Sequence, residues 1–141
     1  MILPVTLTIA AALALLNVGL AIRVSRLRLG GHTAGHAPLD TRMRTHANFV
    51  EYAPFVMILL ALIELGGGSP FWLWIAGAAF VLARLAHAFG MDRPAPNPFR
   101  ASGAVVTWAL LLLLSGWALA IAYAARVPVA PTTIELANVH G

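Results

Sequence analysis

Four long apolar stretches constrain this chain more than any other feature. They cover residues 2–22, about 43–65, about 71–89 and about 101–125, and each has the roughly 20 apolar residues that a helix needs to cross a bilayer. Of the 141 residues, 60% are hydrophobic and 10% are charged, whereas soluble domains have roughly 25% charged residues. The sequence therefore predicts an all-α integral membrane protein, a four-helix bundle folded as one domain.

Turn-forming residues set the expected limits of the helices. The connection GGGSP (66–70) predicts a tight antiparallel hairpin, since glycines end one helix, Ser69 can cap the next and Pro70 suits its first position. By contrast, LGGHTAGHAPLD (29–40) is typical of a flexible loop, because Gly35 and Pro38 disfavour a helix. We expect a membrane domain over 1–126, with a polar, proline-bearing tail over 127–141 and helices over about 2–28, 42–65, 70–90 and 98–126.

The arginines predict the orientation in the membrane. All nine basic residues are arginine, and the first and third connections with their flanks hold most of them: Arg23, Arg26, Arg28, Arg42, Arg44, Arg93 and Arg100. The positive-inside rule makes that side cytoplasmic, so both termini are expected in the periplasm. The chain starts with the uncharged MILPV and has its arginines after the apolar stretch, which favours a first span over a cleaved signal peptide.

Several partner classes are disfavoured by composition. The basic residues are few and flank apolar runs, so they indicate membrane topology and no nucleic-acid partner. With no cysteine, the chain has no disulfide and no thiolate nucleophile of its own. His32 and His36 lie in the glycine-rich loop and are interpreted as loop residues, so no metal site is expected.

Polar residues interrupt the second and third spans near their cytoplasmic ends. Arg44, Asn48 and Glu51 are spaced i, i+4, i+7 on one stripe, and Arg84 and His87 are spaced i, i+3 on the next helix. A charge at the centre of a membrane helix costs about 2.5–3.5 kcal/mol, so such residues normally face a bundle interior or a watery cavity. The pattern indicates a polar pocket open to the cytoplasm, and the alternative is a structural ion pair between Glu51 and Arg84.

The start of the fourth helix adds a cation at an unexpected position. In NPFRASG (97–103), Asn97 is suited to the N-cap and Pro98 to the first helical position. Arg100 then falls in the first turn, where the helix dipole disfavours a cation. An anion bound at this helix start would account for it, and the alternative is an ordinary arginine at the membrane interface.

These residues resemble a known family. RTHANFVEYAPF (44–55) fits the pattern Arg-x-(His/Gln)-x-Asn-x-x-Glu-Tyr-x-Pro of the membrane-associated proteins in eicosanoid and glutathione metabolism, and RLAHAFG (84–90) with Arg100 fits the later part. The family includes microsomal glutathione transferases, leukotriene C synthase and microsomal prostaglandin E synthase. The resemblance implies a homotrimer of four-helix subunits that binds glutathione, as thiol co-substrate, between subunits at the cytoplasmic end.

The resemblance also implies a role for individual residues. Residues from the second and third helices would hold the tripeptide: Arg44, Asn48, Glu51, Tyr52, Arg84 and His87. The adjacent subunit would contribute Arg26 or Arg28 and His46, and Arg100 would be the catalytic residue that stabilises the glutathione thiolate. The chain departs from the family enzymes at His87 and Met91, where tyrosines are common, and at Ala101, where some members have serine.

Three functions are compatible with these patterns. The first is a glutathione transferase or glutathione-dependent peroxidase that acts on lipophilic electrophiles or hydroperoxides from the bilayer. The second is a non-catalytic binding or scaffold protein of the same fold. The third is a small transporter or channel subunit with Glu51, Arg84 and His87 as a relay, which the lack of inverted repeats disfavours.

The alanine-rich, lysine-free composition is typical of a GC-rich bacterial genome, so we expect the protein to lie in a bacterial inner membrane.

Overall fold

A computed structural model describes residues 2–125, which form four α-helices with short connections. In chain order these are α1 (Pro4–Leu29), α2 (Ala37–Leu65), α3 (Pro70–Met91) and α4 (Pro98–Ala124). All four are long and apolar enough to cross a membrane. The prediction of an all-α integral membrane bundle is confirmed, and the predicted tail over 127–141 lies outside the described residues.

Each helix begins with a proline in its first turn, namely Pro4, Pro38, Pro70 and Pro98. The first N–H groups of a helix have no intrahelical partner, so proline loses no hydrogen bond there. Pro38 therefore lies within the first turn of α2, which begins at Ala37 and not near residue 42. The prediction of a loop over 29–40 is wrong for its last four residues. The predicted cap at Ser69 is also wrong in part, since Ser69 is at the N-cap but its side chain makes no capping hydrogen bond.

The core lies between all four helices, with α3 the most buried of them. The largest fully buried side chains of the core include Val56, Leu60, Leu73, Phe80 and Leu114, each at most 2% exposed. In lipid these contacts gain little from leaving the solvent, because lipid tails are as apolar as leucine. Close packing and the few polar contacts between helices therefore stabilise this bundle.

One polar contact joins the start of α1 to the end of α2. The Glu64 carboxylate accepts hydrogen bonds from the backbone N–H groups of Val5 (3.0 Å) and Thr6 (2.8 Å), and from the Thr6 hydroxyl (2.6 Å). The residue before α1, Leu3, has no side chain that can cap the helix. Glu64 therefore satisfies free amides of α1 from a distant part of the chain and complements the positive end of its dipole.

The up-and-down order of the helices brings the ends of α1 and α3 to the starts of α2 and α4. An ion pair between Arg23 and Asp92 joins α1 to the end of α3 at this side. At the opposite side, Trp72 and Trp74 in the first turns of α3 are 58% and 42% exposed, as expected for interfacial aromatic residues. The arginine-rich end carries the polar residues described next.

Candidate functional site

The most buried charge within residues 2–125 is the guanidinium of Arg84 on α3, whose side chain is only 2% exposed. Arg84 Nη2 donates to Asn48 Oδ1 on α2 (2.5 Å), and Nη1 donates to Thr107 Oγ1 on α4 (3.3 Å). Its Nε has no partner, and its guanidinium carbon lies 5.9 Å from the centre of the Tyr52 ring. Three helices thus meet at one buried cation that is bonded only to neutral groups.

The alternative of a Glu51–Arg84 ion pair does not occur in the structure. Among the described residues the Arg84 hydrogen bonds go to Asn48 and Thr107, and the ion pair is the one between Arg23 and Asp92. Glu51 instead lies on the exposed flank of α2, on the same side as Arg44. It lies about 21 Å along the helix from the far end of α2, since each residue adds 1.5 Å.

A cavity of about 410 Å³ opens beside the buried cation. Asn48 of α2 and His87 of α3 form one wall, and Arg100, Ala101, Ala104 and Trp108 of α4 form another, with residues 95–97 at its mouth. Because Asn48 Oδ1 is taken by Arg84, its amide N–H groups are left to donate toward a bound molecule. The cavity therefore combines amide donors, an arginine and an apolar α4 surface.

The first turn of α4 borders the cavity and has the predicted cap. Asn97 Oδ1 accepts from the backbone N–H groups of Phe99 (3.0 Å) and Arg100 (3.4 Å). The α4 dipole and the Arg100 side chain both place positive charge at this end. Two independent sources of positive potential thus border one cavity, which favours an anion.

Two site residues were missed by the sequence analysis. Trp108 Nε1 donates to the Tyr52 hydroxyl (3.2 Å), which ties the phenol to α4. Thr107, fully buried, receives the Arg84 bond and donates its own hydroxyl to the carbonyl of Gly103 (2.8 Å). A threonine in the middle of the mainly apolar α4 was a signal available in the sequence, since a buried hydroxyl needs a partner.

Other predicted site residues lie outside this cluster. His46 Nε2 is 2.9 Å from Asn17 Oδ1 and joins α2 to α1 on a different face. Arg26 and Arg28 are exposed in the last turn of α1, where Arg28 approaches the sulfur of Met43 at 3.6 Å. The structure thus brings Asn48, Tyr52, Arg84, His87 and Arg100 together within one chain, and it leaves Arg26, Arg28, Arg44, His46 and Glu51 outside that group.

Four apolar helices with polar side chains gathered at one end define a multi-pass integral membrane protein. Residues 6–120 match the MAPEG family, the membrane-associated proteins in eicosanoid and glutathione metabolism. The chain is 32% identical over 105 residues to the inner membrane protein YecN of Escherichia coli K12, across 72% of this chain and 79% of that protein. The YecN of Escherichia coli O6:H1 has the same identity over the same length. The chain therefore belongs to the MAPEG family, and the predicted resemblance is confirmed.

Proposed function

We propose that the protein is a glutathione transferase or glutathione-dependent peroxidase of the bacterial inner membrane, with its site open to the cytoplasm. The observation that carries the proposal is the buried Arg84, bonded only to neutral groups, behind the wall of a cavity that Arg100 lines. A buried cation normally needs an anion. Glutathione offers two carboxylates, one ammonium group and a thiol, which matches a site with several cations and amide donors.

The binding roles follow from the charges. Asn48 lines the cavity, and Arg84 lies behind it with Nη2 bonded to Asn48 Oδ1. The amide of Asn48, backed by that buried cation, suits a carboxylate of the tripeptide. Tyr52, fixed by Trp108, adds a hydroxyl near the same place. Glu51, on the adjoining flank of α2, suits the ammonium group of glutathione.

The thiol is activated by the start of α4. A free thiol with a pKa near 8.5 is only about 3% ionised at pH 7. A neighbouring cation lowers a pKa by roughly 1–3 units, so a shift of about 2 units makes the thiolate the major form. Arg100 supplies that cation and the α4 dipole adds positive potential. The glutathione thiolate then forms a bond to the carbon of the electrophile and displaces its leaving group, for example a halide, with no cysteine required from the protein.

The exposed flank of α2 supports a homotrimer. Arg44 and Glu51 face away from the bundle within a helix that crosses the membrane. A bilayer core is about 30 Å thick, so a carboxylate about 21 Å from the far end of α2 lies beneath the headgroups. Other copies of the chain that cover this flank would remove Glu51 from lipid and bring Arg26, Arg28 or His46 of a neighbour to the glutathione. Lipophilic electrophiles would enter sideways from the bilayer.

A non-catalytic binding protein is the second candidate. It is favoured by His87, which stands where family enzymes commonly have a tyrosine and whose Nδ1 is occupied by the carbonyl of Arg100 (3.1 Å). Such a protein would bind glutathione without turning over an electrophile.

The test replaces Arg100 with alanine and uses Arg42→Ala as control, because Arg42 lies at the same end but lines a different cavity. With glutathione bound at pH 7, Arg100→Ala should lose the thiolate absorbance by roughly twentyfold, as expected for the return of a shifted pKa to about 8.5. Conjugation of an aryl halide should fall with it, while glutathione binding persists. Unchanged turnover in Arg100→Ala would refute the role of Arg100, and binding without turnover in the unmodified protein would favour the second candidate.

A further inference from the structure

The C-terminal half of α3 and the first turns of α4 are in direct contact. A Cβ atom added to Gly90 would fall on the backbone nitrogen of Arg100, and it would lie 2.8 Å from the Arg100 Cα. A Cβ added to Gly103, one turn further along α4, would lie 2.5 Å from the carbonyl oxygen of Ala83 and 2.7 Å from the Cβ of His87. Any side chain at either position therefore requires α4 to move away from α3.

A hydrogen bond fixes the same contact. His87 Nδ1 lies 3.1 Å from the carbonyl oxygen of Arg100. Because a carbonyl oxygen only accepts, the imidazole proton is on Nδ1 and His87 is the donor. His87 is 6% exposed, so the ring is held between the helices with little freedom to turn. The bond ends on the backbone of the very residue that the proposed function makes catalytic.

We propose that Gly90, His87 and Gly103 are positioning residues that set the location of Arg100. The inference rests on the proposed function and reassigns His87, which was predicted to contact glutathione directly. The two glycines let the Arg100 backbone lie against α3, and His87 fixes its position along that helix. Arg100 itself is exposed and has a long flexible side chain, so a fixed backbone is what limits where its guanidinium can reach the sulfur.

The effect of a small displacement should be large. Misplacing a catalytic group by about 1 Å can reduce a rate on the order of a hundredfold. The three atoms nearest to a Cβ at Gly90 all belong to Arg100, and none belongs to Arg84 or Asn48, which the proposed function assigns to glutathione binding. Gly103 is linked to Arg84 through Thr107, so Gly90 is the cleaner position to change. We therefore predict that displacing the start of α4 lowers kcat and the ionised fraction of the thiol, with a small change in KM for glutathione.

The first test is Gly90→Ala, with Gly116→Ala on the same helix as Arg100 as the matched control. A Cβ at Gly116 meets nothing within 4 Å. Gly90→Ala should lower kcat at least tenfold and raise the pKa of bound glutathione by about 1 unit or more, with KM within about threefold. Gly116→Ala should match the unmodified protein.

The second test keeps the inference open to refutation if Gly90→Ala does not fold. His87→Leu removes the bond to the Arg100 carbonyl, whereas His87→Asn keeps an N–H donor at about the same distance from the backbone. His87→Leu should raise the pKa of bound glutathione and lower kcat, and His87→Asn should restore most of both. If His87 had only a structural role, the two variants could differ in stability, but the pKa of bound glutathione would be the same in both.

The outcomes separate this inference from the proposed function. If the unmodified protein binds no glutathione thiolate, the proposed function fails and the inference with it. If the thiolate forms but His87→Leu titrates like the unmodified protein, the proposed function stands and the positioning role of His87 is wrong. Equal loss in His87→Leu and His87→Asn would mean that His87 contacts the ligand itself.

Discussion

Arg84 is a residue whose burial is explained better by a ligand than by stability. Buried cations are often replaced by apolar residues of similar size with no loss of stability, and sometimes with a gain. Here the guanidinium has only amide and hydroxyl acceptors, and its Nε has none. A residue kept for folding alone would be expected to have a carboxylate partner within the bundle.

We therefore predict that Arg84→Met separates stability from binding. The thermal midpoint in detergent should stay the same or rise, because the desolvated charge is gone and the methionine fills the space. The affinity for glutathione should fall roughly 10- to 150-fold, the equivalent of one charge-assisted hydrogen bond. Arg42→Met is the control and should change neither. A parallel loss of folding and binding would instead assign Arg84 a structural role.

At the scale of helices, the first residue of each helix was easier to predict than the contacts between helices. Pro70 and Pro98 marked the starts of α3 and α4, and the Asn97 cap followed from local chemistry. The start of α2 was missed because Pro38 was interpreted as a helix breaker and not as a first-turn residue. Local sequence cannot separate these two roles of proline, since the difference depends on whether the residues after it are helical.

The helical spacing predicted that polar residues of α2 share one side of the helix, but it did not predict which residues they contact. Arg44, Asn48 and Glu51 do lie along one side of α2, yet only Asn48 reaches Arg84. A rotation of α2 about its axis by some tens of degrees decides whether a side chain points at a neighbouring helix or at the exposed flank. The residue spacing within one helix does not predict how the next helix packs against it. The same limit hid Trp108 as the partner of Tyr52.

The contact of Glu64 with α1 gives a prediction at the same scale. Thr6→Val should lower the free energy of unfolding by about 1 kcal/mol, and Glu64→Leu by about 1–3 kcal/mol, because α1 would lose acceptors for its first amides. Thr8→Val is the control, since the Thr8 hydroxyl bonds only to the Pro4 carbonyl of its own helix (2.8 Å). Thermal unfolding in detergent measures all three. Equal midpoints for Glu64→Leu and Thr8→Val would show that the cap contributes nothing.

For the whole molecule, one chain accounts for only part of the proposed site. The cavity has its own wall residues, but the exposed Arg44 and Glu51 have no described partner that would explain a carboxylate at this depth. A second copy against α2 would explain both the exposed charges and the distant position of Arg26 and Arg28. These exposed charges support the proposed trimer.

The cysteine-free chain permits a direct test of that assembly. Ala47, exposed on the flank between Arg44 and Glu51, should form a disulfide between copies when changed to cysteine, provided that their Cα atoms approach within about 7 Å. The exposed Ala120 of α4, changed in the same way, serves as the control. The detergent-solubilised protein should have three times the 14.9 kDa mass of the chain. A monomeric mass and no cross-link at position 47 would contradict the trimer.

The most direct test of the central claim is a calorimetric titration of the solubilised protein with glutathione, compared with the variant Asn48→Asp. In Asn48→Asp the new carboxylate takes the place of Oδ1 and neutralises Arg84 from within the chain, so the protein should stay folded but lose the anion site. We predict saturable binding to the unmodified protein and little or none to Asn48→Asp. Absence of binding to the unmodified protein, or equal binding to both, would contradict the account.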